Sequence, residues 1–294
     1  MSISIEKYIE RGKLIIEEQI NQVLIEKEIP TSLKESMKYS LFAGGKRLRP
    51  ILLFASYNTY AENIEKVYKT AAALEMIHTY SLIHDDLPAM DDDDYRRGKL
   101  TNHREFDEAT AILAGDALLT YAFELIADDP MLSDTEKTFL ISSLAKASGP
   151  EGMVAGQVLD MEGETKVLTL EQLEKIHELK TGRLISFAIT AGAYLAKTTT
   201  EQQTYLENYA HYLGLIFQVQ DDILDVIGDP DKLGKPVGSD ELNEKSTYPN
   251  LLGLEGAEQQ KEKYKETARN SLKRANATDS YLEDLLLYFG NRDH

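Results

Sequence analysis

The chain has 294 residues, 42% of them hydrophobic, and sets 32 Lys plus Arg against 50 Asp plus Glu for a formal net charge of −18, with no cysteine and no tryptophan. This is the composition of a folded globular protein with material for a large core. Zero cysteines exclude a disulfide framework, thiolate zinc sites, iron–sulfur ligation and a cysteine nucleophile. Any metal must therefore use oxygen or imidazole ligands; the acidic balance argues against nucleic-acid binding, whose affinity comes from neutralising backbone phosphates, so any phosphate needs a local basic cluster.

Glu6, Lys7 and Glu10 interrupt a signal-peptide core at the N-terminus. The longest uncharged stretch, Leu184 to Ala196, is shorter than the roughly 20 residues a bilayer span needs. A cytoplasmic protein with no membrane partner is expected. No linker composition appears, so one domain over 1–294 is expected, and the periodicity between the eight prolines reads as all-α: a bundle of roughly ten helices around a central cavity.

Thr31, after Pro30, is placed to cap a helix running through Met37 and Leu41 and stopping at Gly44-Gly45, with a second helix following Pro50. A long helix is expected from Ile64 to about Asp86, broken by Pro88, which cannot continue a helical ladder. Further helices are expected at about 105–127, 134–147, 150–163, 170–196, 201–227, 256–275 and 280–289. The 228–250 segment is dense in turn formers and reads as a loop or lid.

One internal echo stands out: Ser81-Leu-Ile-His-Asp85-Asp86 and Phe217-Gln-Val-Gln-Asp221-Asp222 each bring an Asp pair to the end of an apolar helix. Asp221 and Asp225 are four apart and share a helix face, a spacing suited to bridging hard cations. Asp85 and Asp91 would diverge on a regular helix, so Pro88 must bend the path to bring them together. Carboxylates packed this closely resist full ionisation unless cations neutralise them, and Mg²⁺ suits carboxylate, water and phosphate oxygen. Solvated acidic helix ends explain most such runs and stay open for either cluster alone. Against them stand Lys46, Arg47 and Arg49 after the Gly-Gly pair, Arg96-Arg97, Lys180 and Lys235. Cations this tightly grouped in an acidic protein point to anion sites.

Taken together, Gly44-Gly45-Lys46-Arg47-Leu-Arg49-Pro50, Asp85-Asp86-x-x-x-x-Asp91 with Arg96-Arg97-Gly98, Lys180-Thr181-Gly182, Phe217-Gln218, Asp221-Asp222-x-x-Asp225 and Gly234-Lys235-Pro236 through Lys245-Ser-Thr-Tyr-Pro249 form one pattern. It resembles the short-chain trans-isoprenyl diphosphate synthases end to end, and within them the bacterial farnesyl diphosphate synthases. The resemblance implies that Asp85, Asp91 and Asp221, supported by Asp86 and Asp225, hold three Mg²⁺ ions against an allylic diphosphate, dimethylallyl or geranyl, with Asp222 and Lys180 counted among the catalytic residues. Arg96, Lys180, Thr181, Gln218 and Lys235 would complete that pocket. Lys46, Arg49, His78 and Arg97 would form a separate, metal-free site for isopentenyl diphosphate. It also implies a homodimer, and an aromatic floor at Tyr80 that limits product length. Gln157 and Asp160 match a family segment that faces the cavity, with a purely structural role equally open.

Two competing functions are weighed against this one. One is a geranylgeranyl diphosphate synthase of the same family, and the other a metal-dependent phosphohydrolase that would use His84-Asp85 as a metal pair. The second needs further histidine ligands, and the remaining histidines at 78, 103, 177, 211 and 294 show no supporting spacing.

Overall fold

A computed structural model describes residues 3–164, 166–228 and 246–292. The described residues hold thirteen α-helices and one short hairpin, so the all-α expectation stands. We number them α1 (Ile5–Ile25), α2 (Thr31–Leu41), α3 (Leu48–Asn58), α4 (Tyr68–Asp85), α5 (Asn102–Glu105), α6 (Glu108–Ala127), α7 (Asp134–Ser148), α8 (Met153–Gly163), α9 (Leu170–His177), α10 (Arg183–Leu195), α11 (Thr200–Ile227), α12 (Tyr248–Arg274) and α13 (Tyr281–Asn291), with β1 (Tyr95–Arg96) and β2 (Lys99–Leu100). The chain parts into two compact units, one ending at Phe54 and resuming over Asn63–Ser142, the other comprising Ala55–Glu62 and everything from Ser143 onward.

In the first unit α4 is the central helix. Ala71, Ala72, Ala73, Leu74, Met76 and Ile77 are fully buried, while His78, Ser81, His84 and Asp85 lie toward its C-terminal end. α4 packs along α6, and one close approach sets that packing: a Cβ on Gly115 of α6 would overlap the His84 imidazole. α6 is long and apolar enough to cross a membrane by composition, yet Ala111, Ala114, Leu118, Ala122 and Ile126 are fully buried against the rest of the unit.

In the second unit α11 is the corresponding spine, packed between α10 and α12. Its N-terminus carries a full capping box, Thr199 and Gln202 each accepting the other's backbone amide. The region expected as one helix over 170–196 is instead three pieces: α9, a π-helical turn at Glu178–Gly182, and α10. A π-turn adds a residue without breaking the apolar stripe, so periodicity does not register it.

Other boundaries differ for local reasons. Pro30, not Thr31, is the N-cap of α2 and offers no side-chain acceptor. α2 stops at Leu41, three residues before Gly44; Gly44 (φ 101°) and Gly45 (φ 110°) shape the following loop and do not cap the helix. α3 begins at Leu48, with Pro50 in its first turn, where a missing N–H costs nothing. The hairpin was not expected: Arg97 (φ 55°) and Gly98 (φ 75°) form its left-handed turn, and two-residue strands leave no alternation to read. α12 starts at Tyr248, not near 256, because Thr247 caps it and Gly253 (φ 72°) kinks it without ending it. Most of the expected 228–250 loop lies outside the described residues.

Candidate active site

The first aspartate motif closes as its proline requires. α4 ends at Asp85, and the Asp91 amide donates to the Asp85 carbonyl at 2.9 Å, while Met90 and Asp92 both donate back to Leu87. Asp92 takes φ 51° to complete the turn. The backbone thus returns position 91 to position 85, and Asp91, Asp92, Asp93 and Asp94 project into solvent.

Asp86 is different. It is 3% exposed, and its carboxylate is clamped by Arg96 through Nε at 2.6 Å and Nη2 at 2.5 Å. Burial pushes its carboxyl up, against the pull of Arg96. Arg96 also reaches Asp93 at 3.5 Å. The next residue, Arg97, lies across the hairpin turn and donates from Nη1 to the Gly44 carbonyl. A side chain at Gly45 would sit 2.5 Å from that guanidinium, which is the physical demand for glycine here. Two consecutive arginines are therefore turned to two different partners, one acidic and one in the Gly-Gly loop.

Around these lies a basic cluster built on a neutral histidine. Arg49 Nη1 is 3.2 Å from His78 Nε2. Burial, then Arg49, Arg97, Arg96 and Arg47, push the His78 pKa well below its ordinary value. An arginine can only donate, so Nε2 of the neutral ring accepts and Nδ1 carries the proton. Arg47 itself is turned inward: its side chain is fully buried, bonds Glu75 at 2.7 Å and also donates to the Leu41 carbonyl. It is a structural cation that orients the loop between Lys46 and Arg49, a role the sequence did not separate from theirs.

Tyr80, expected to limit product length, is 7% exposed on α4, and its ring meets His84 edge to face at 5.7 Å between centroids. His84 continues to α6, with Nε2 at 3.1 Å from the Ile112 carbonyl. His84 is thus a packing residue between two helices.

In the second unit, Asp221, Asp222 and Asp225 end α11 in three environments. Asp221 has 42% of its side chain exposed and is ion-paired with Arg292 at 2.5 Å. Asp222 is 7% exposed and accepts the Tyr248 amide at 2.9 Å, which anchors the start of α12. Asp225 is 3% exposed. Asp222, counted from the sequence among the catalytic residues, thus has a helix start to hold as well.

Arg292 was not anticipated. It donates to the Phe217 carbonyl at 3.0 Å and stacks on the Phe217 ring at 4.0 Å, while its own carbonyl accepts Gln220 Nε2 at 2.8 Å. Gln220 in turn accepts from Lys261 at 2.7 Å. The only hint in the sequence is a cation at the very end of an acidic chain. Gln218 is half-buried on α11 and Thr181 half-buried in the π-turn, whereas Lys235 lies outside the described residues.

Lys180 sits in the same π-turn and is paired with Asp160 of α8 at 2.6 Å. Beneath it His177 is buried, which lowers its pKa to about 4. Such a ring is neutral in the folded chain and takes a proton on unfolding below about pH 6.5. Its contribution to stability is therefore complete above pH 6.5 and is lost as pH falls from there through about 4, at about 1.4 kcal/mol per pH unit. Urea unfolding at pH 7, 6 and 5 should show this decline, with a shallower slope in His177→Gln.

Among the described residues no three His, Asp or Glu side chains are gathered as a ready metal cage. The donors present in each unit are hard carboxylate oxygens, on a tight turn in the first and at a helix end in the second, and such oxygens fit an ion completing its shell with water and phosphate.

The chain belongs to the polyprenyl synthetase family, whose model matches residues 30–285. Several of its relatives are bacterial farnesyl diphosphate synthases, and a geranylgeranyl diphosphate synthase from Cyanophora paradoxa, 45% identical over 97% of this chain, is also among them. The chain is 48% identical over 294 residues to the farnesyl diphosphate synthase of Geobacillus stearothermophilus, covering 99% of each chain, and 46% identical to that of Bacillus subtilis over the whole of both. The crystal structure of a geranyltransferase from Legionella pneumophila superposes with a TM-score of 0.83 at 38% identity, covering 98% of this chain and 96% of that one.

Proposed function

We propose that this chain, as one polyprenyl synthase domain, is a farnesyl diphosphate synthase: it joins isopentenyl diphosphate to dimethylallyl and then geranyl diphosphate. One observation carries this reading. Arg96 grips Asp86 of the aspartate motif while Arg97 is held by the Gly44 loop beside the Arg49–His78 pair. An acidic motif and a basic pocket are thereby built side by side from one hairpin, as two differently bound diphosphates require.

Asp85, Asp91 and Asp221, with Asp86 and Asp225 in support, are the residues that would hold three Mg²⁺ ions. When bound, Mg²⁺ would neutralise the diphosphate and favour its departure. Lys180, Thr181, Gln218, Arg96 and Lys235 would bind the allylic diphosphate, the cations stabilising negative charge as the carbon–oxygen bond ionises. Lys46, Arg49 and Arg97 would hold isopentenyl diphosphate so that its double bond meets the allylic cation. The neutral His78 fixes Arg49 and, pressed by four guanidinium groups, is a poor base. The proton lost in elimination goes to the released diphosphate. Apolar residues beside each aspartate motif, such as Ile83 in the first unit and Ile223 in the second, both buried, would help keep water from quenching the cation. A cytoplasmic homodimer is the assembly we propose, by likeness to the family.

The metal-free pocket gives a direct test. Isopentenyl diphosphate titrated calorimetrically in EDTA should bind the wild-type protein and bind Arg49→Ala or Arg97→Ala about tenfold or more weakly, since each charge-assisted contact contributes about 1.5–3 kcal/mol. Equal affinity in all three would remove the pocket. Release of phosphate from either substrate without carbon–carbon bond formation would favour the phosphohydrolase instead.

A further inference from the structure

Lys180 is held with more apparatus than a single ligand needs. It lies in the π-turn Glu178–Gly182, and that turn is gripped from two sides by glycines. A Cβ on Gly156 of α8 would overlap the Lys180 backbone nitrogen and sit 2.6 Å from its Cα. A Cβ on Gly214 of α11 would lie 3.0 Å from the Gly182 Cα. The Gly156 distances are ones that real Cβ atoms essentially never show and the Gly214 distance is tighter than most real contacts, so both helices come this close to the turn by carrying no side chain there. The turn cannot shift toward either helix, and the Lys180 Cα is fixed.

The stem of a lysine is still free to move about four bonds, and ordering it costs up to about 2 kcal/mol. Here Asp160, one helical turn beyond Gly156 on the same face of α8, takes the ammonium at 2.6 Å. Both side chains stay partly exposed, Lys180 at 28% and Asp160 at 30%, so the head group is accessible to an incoming anion while the stem is held.

We propose that Asp160 is a positioning residue for the prenyl-transfer reaction, pre-ordering Lys180 for the allylic diphosphate and acting on that substrate alone. The inference rests on the reading of Lys180 as an allylic-diphosphate ligand and adds a residue that touches neither substrate. Glycine at 156 and aspartate at 160 are one device: the first sets the height of the lysine backbone over α8, the second the direction of its head.

The test is a double-mutant cycle in the full-length protein with two readouts. Asp160→Ala should raise the KM for geranyl diphosphate about tenfold, the scale of ordering one long side chain with its charge partner, and leave the KM for isopentenyl diphosphate unchanged. Asp160→Asn, which keeps an oxygen acceptor, should recover part of the loss. In a Lys180→Ala background, Asp160→Ala should have no further effect, since its action passes through the lysine. The second readout needs no turnover. The rate at which an acetylating reagent modifies Lys180, followed by peptide mass spectrometry, should rise several-fold in Asp160→Ala.

Effects of the two substitutions that add, equal changes in both KM values, or unchanged acetylation of Lys180 would each overturn the proposal. Wild-type protein that transfers no prenyl group would overturn the function reading, and the proposal with it. That failure is distinguishable, because it shows in the unmutated protein before any variant is compared.

Discussion

Asp85→Ala and Asp221→Ala are each expected to lower kcat by about a thousandfold or more, the scale at which an enzyme loses a group that stabilises developing charge. The structure says why activity should fall without the fold. Asp85 holds Asp91 through its backbone carbonyl, so removing its side chain leaves the turn closed. Asp221 contributes one partner to Arg292, which keeps the Phe217 carbonyl and the stacking contact with the Phe217 ring when that partner is gone. Far-ultraviolet circular dichroism of both variants should match the wild type. Asp222→Ala makes the contrast: its buried carboxylate accepts the first amide of α12, and losing it should cost about 1–3 kcal/mol of stability through an unpaired buried donor. If Asp85→Ala or Asp221→Ala turned over at near wild-type rate, the aspartate motifs would not be the ionisation site.

Tyr80→Ala is expected to change the product. Tyr80 lies five residues before Asp85, which at 1.5 Å per residue is about 7.5 Å along the axis of α4. An alkyl tail growing from a diphosphate held at Asp85 would extend toward that depth. The ring is buried and braced by His84, which is itself wedged against α6 where Gly115 makes room. It is rigid in the way a floor must be. Removing it should destabilise the protein by about 3 kcal/mol, as large-to-small changes at buried aromatics do. That loss would follow from core packing alone. Products longer than fifteen carbons would not, and they are the outcome expected of the folded variant when dephosphorylated products are chromatographed. Products still confined to fifteen carbons would show that Tyr80 is core and nothing more.

The long helices and the two aspartate motifs were legible because each has a short-range signal: apolar periodicity for α4 and α11, proline at 88 for the end of α4, and like charges packed too tightly to be indifferent. The pairing of Asp91 with Asp85 followed from the same proline. What escaped the sequence depends on contacts between distant residues. Nothing near Asp222 says that its carboxylate will start a helix 26 residues away. Arg47 looks like Lys46 and Arg49 until Glu75 and the Leu41 carbonyl draw it inward. The π-turn is silent because an added residue preserves the apolar stripe on either side, and only the glycines at 156 and 214 betray how closely the backbones meet. Arg292 matters through its fold partners Phe217, Gln220 and Asp221 on α11, about 70 residues earlier in the chain.

The central claim is that the chain builds a fifteen-carbon diphosphate by two successive condensations. Incubation of the purified protein with Mg²⁺, dimethylallyl diphosphate and ¹³C-labelled isopentenyl diphosphate, followed by mass spectrometry of the dephosphorylated product, tests it directly. The account predicts farnesol carrying two labelled five-carbon units, with geranol carrying one as the transient species. A final product carrying one or three labelled units, or labelled isopentenol with no new carbon–carbon bond, would contradict it.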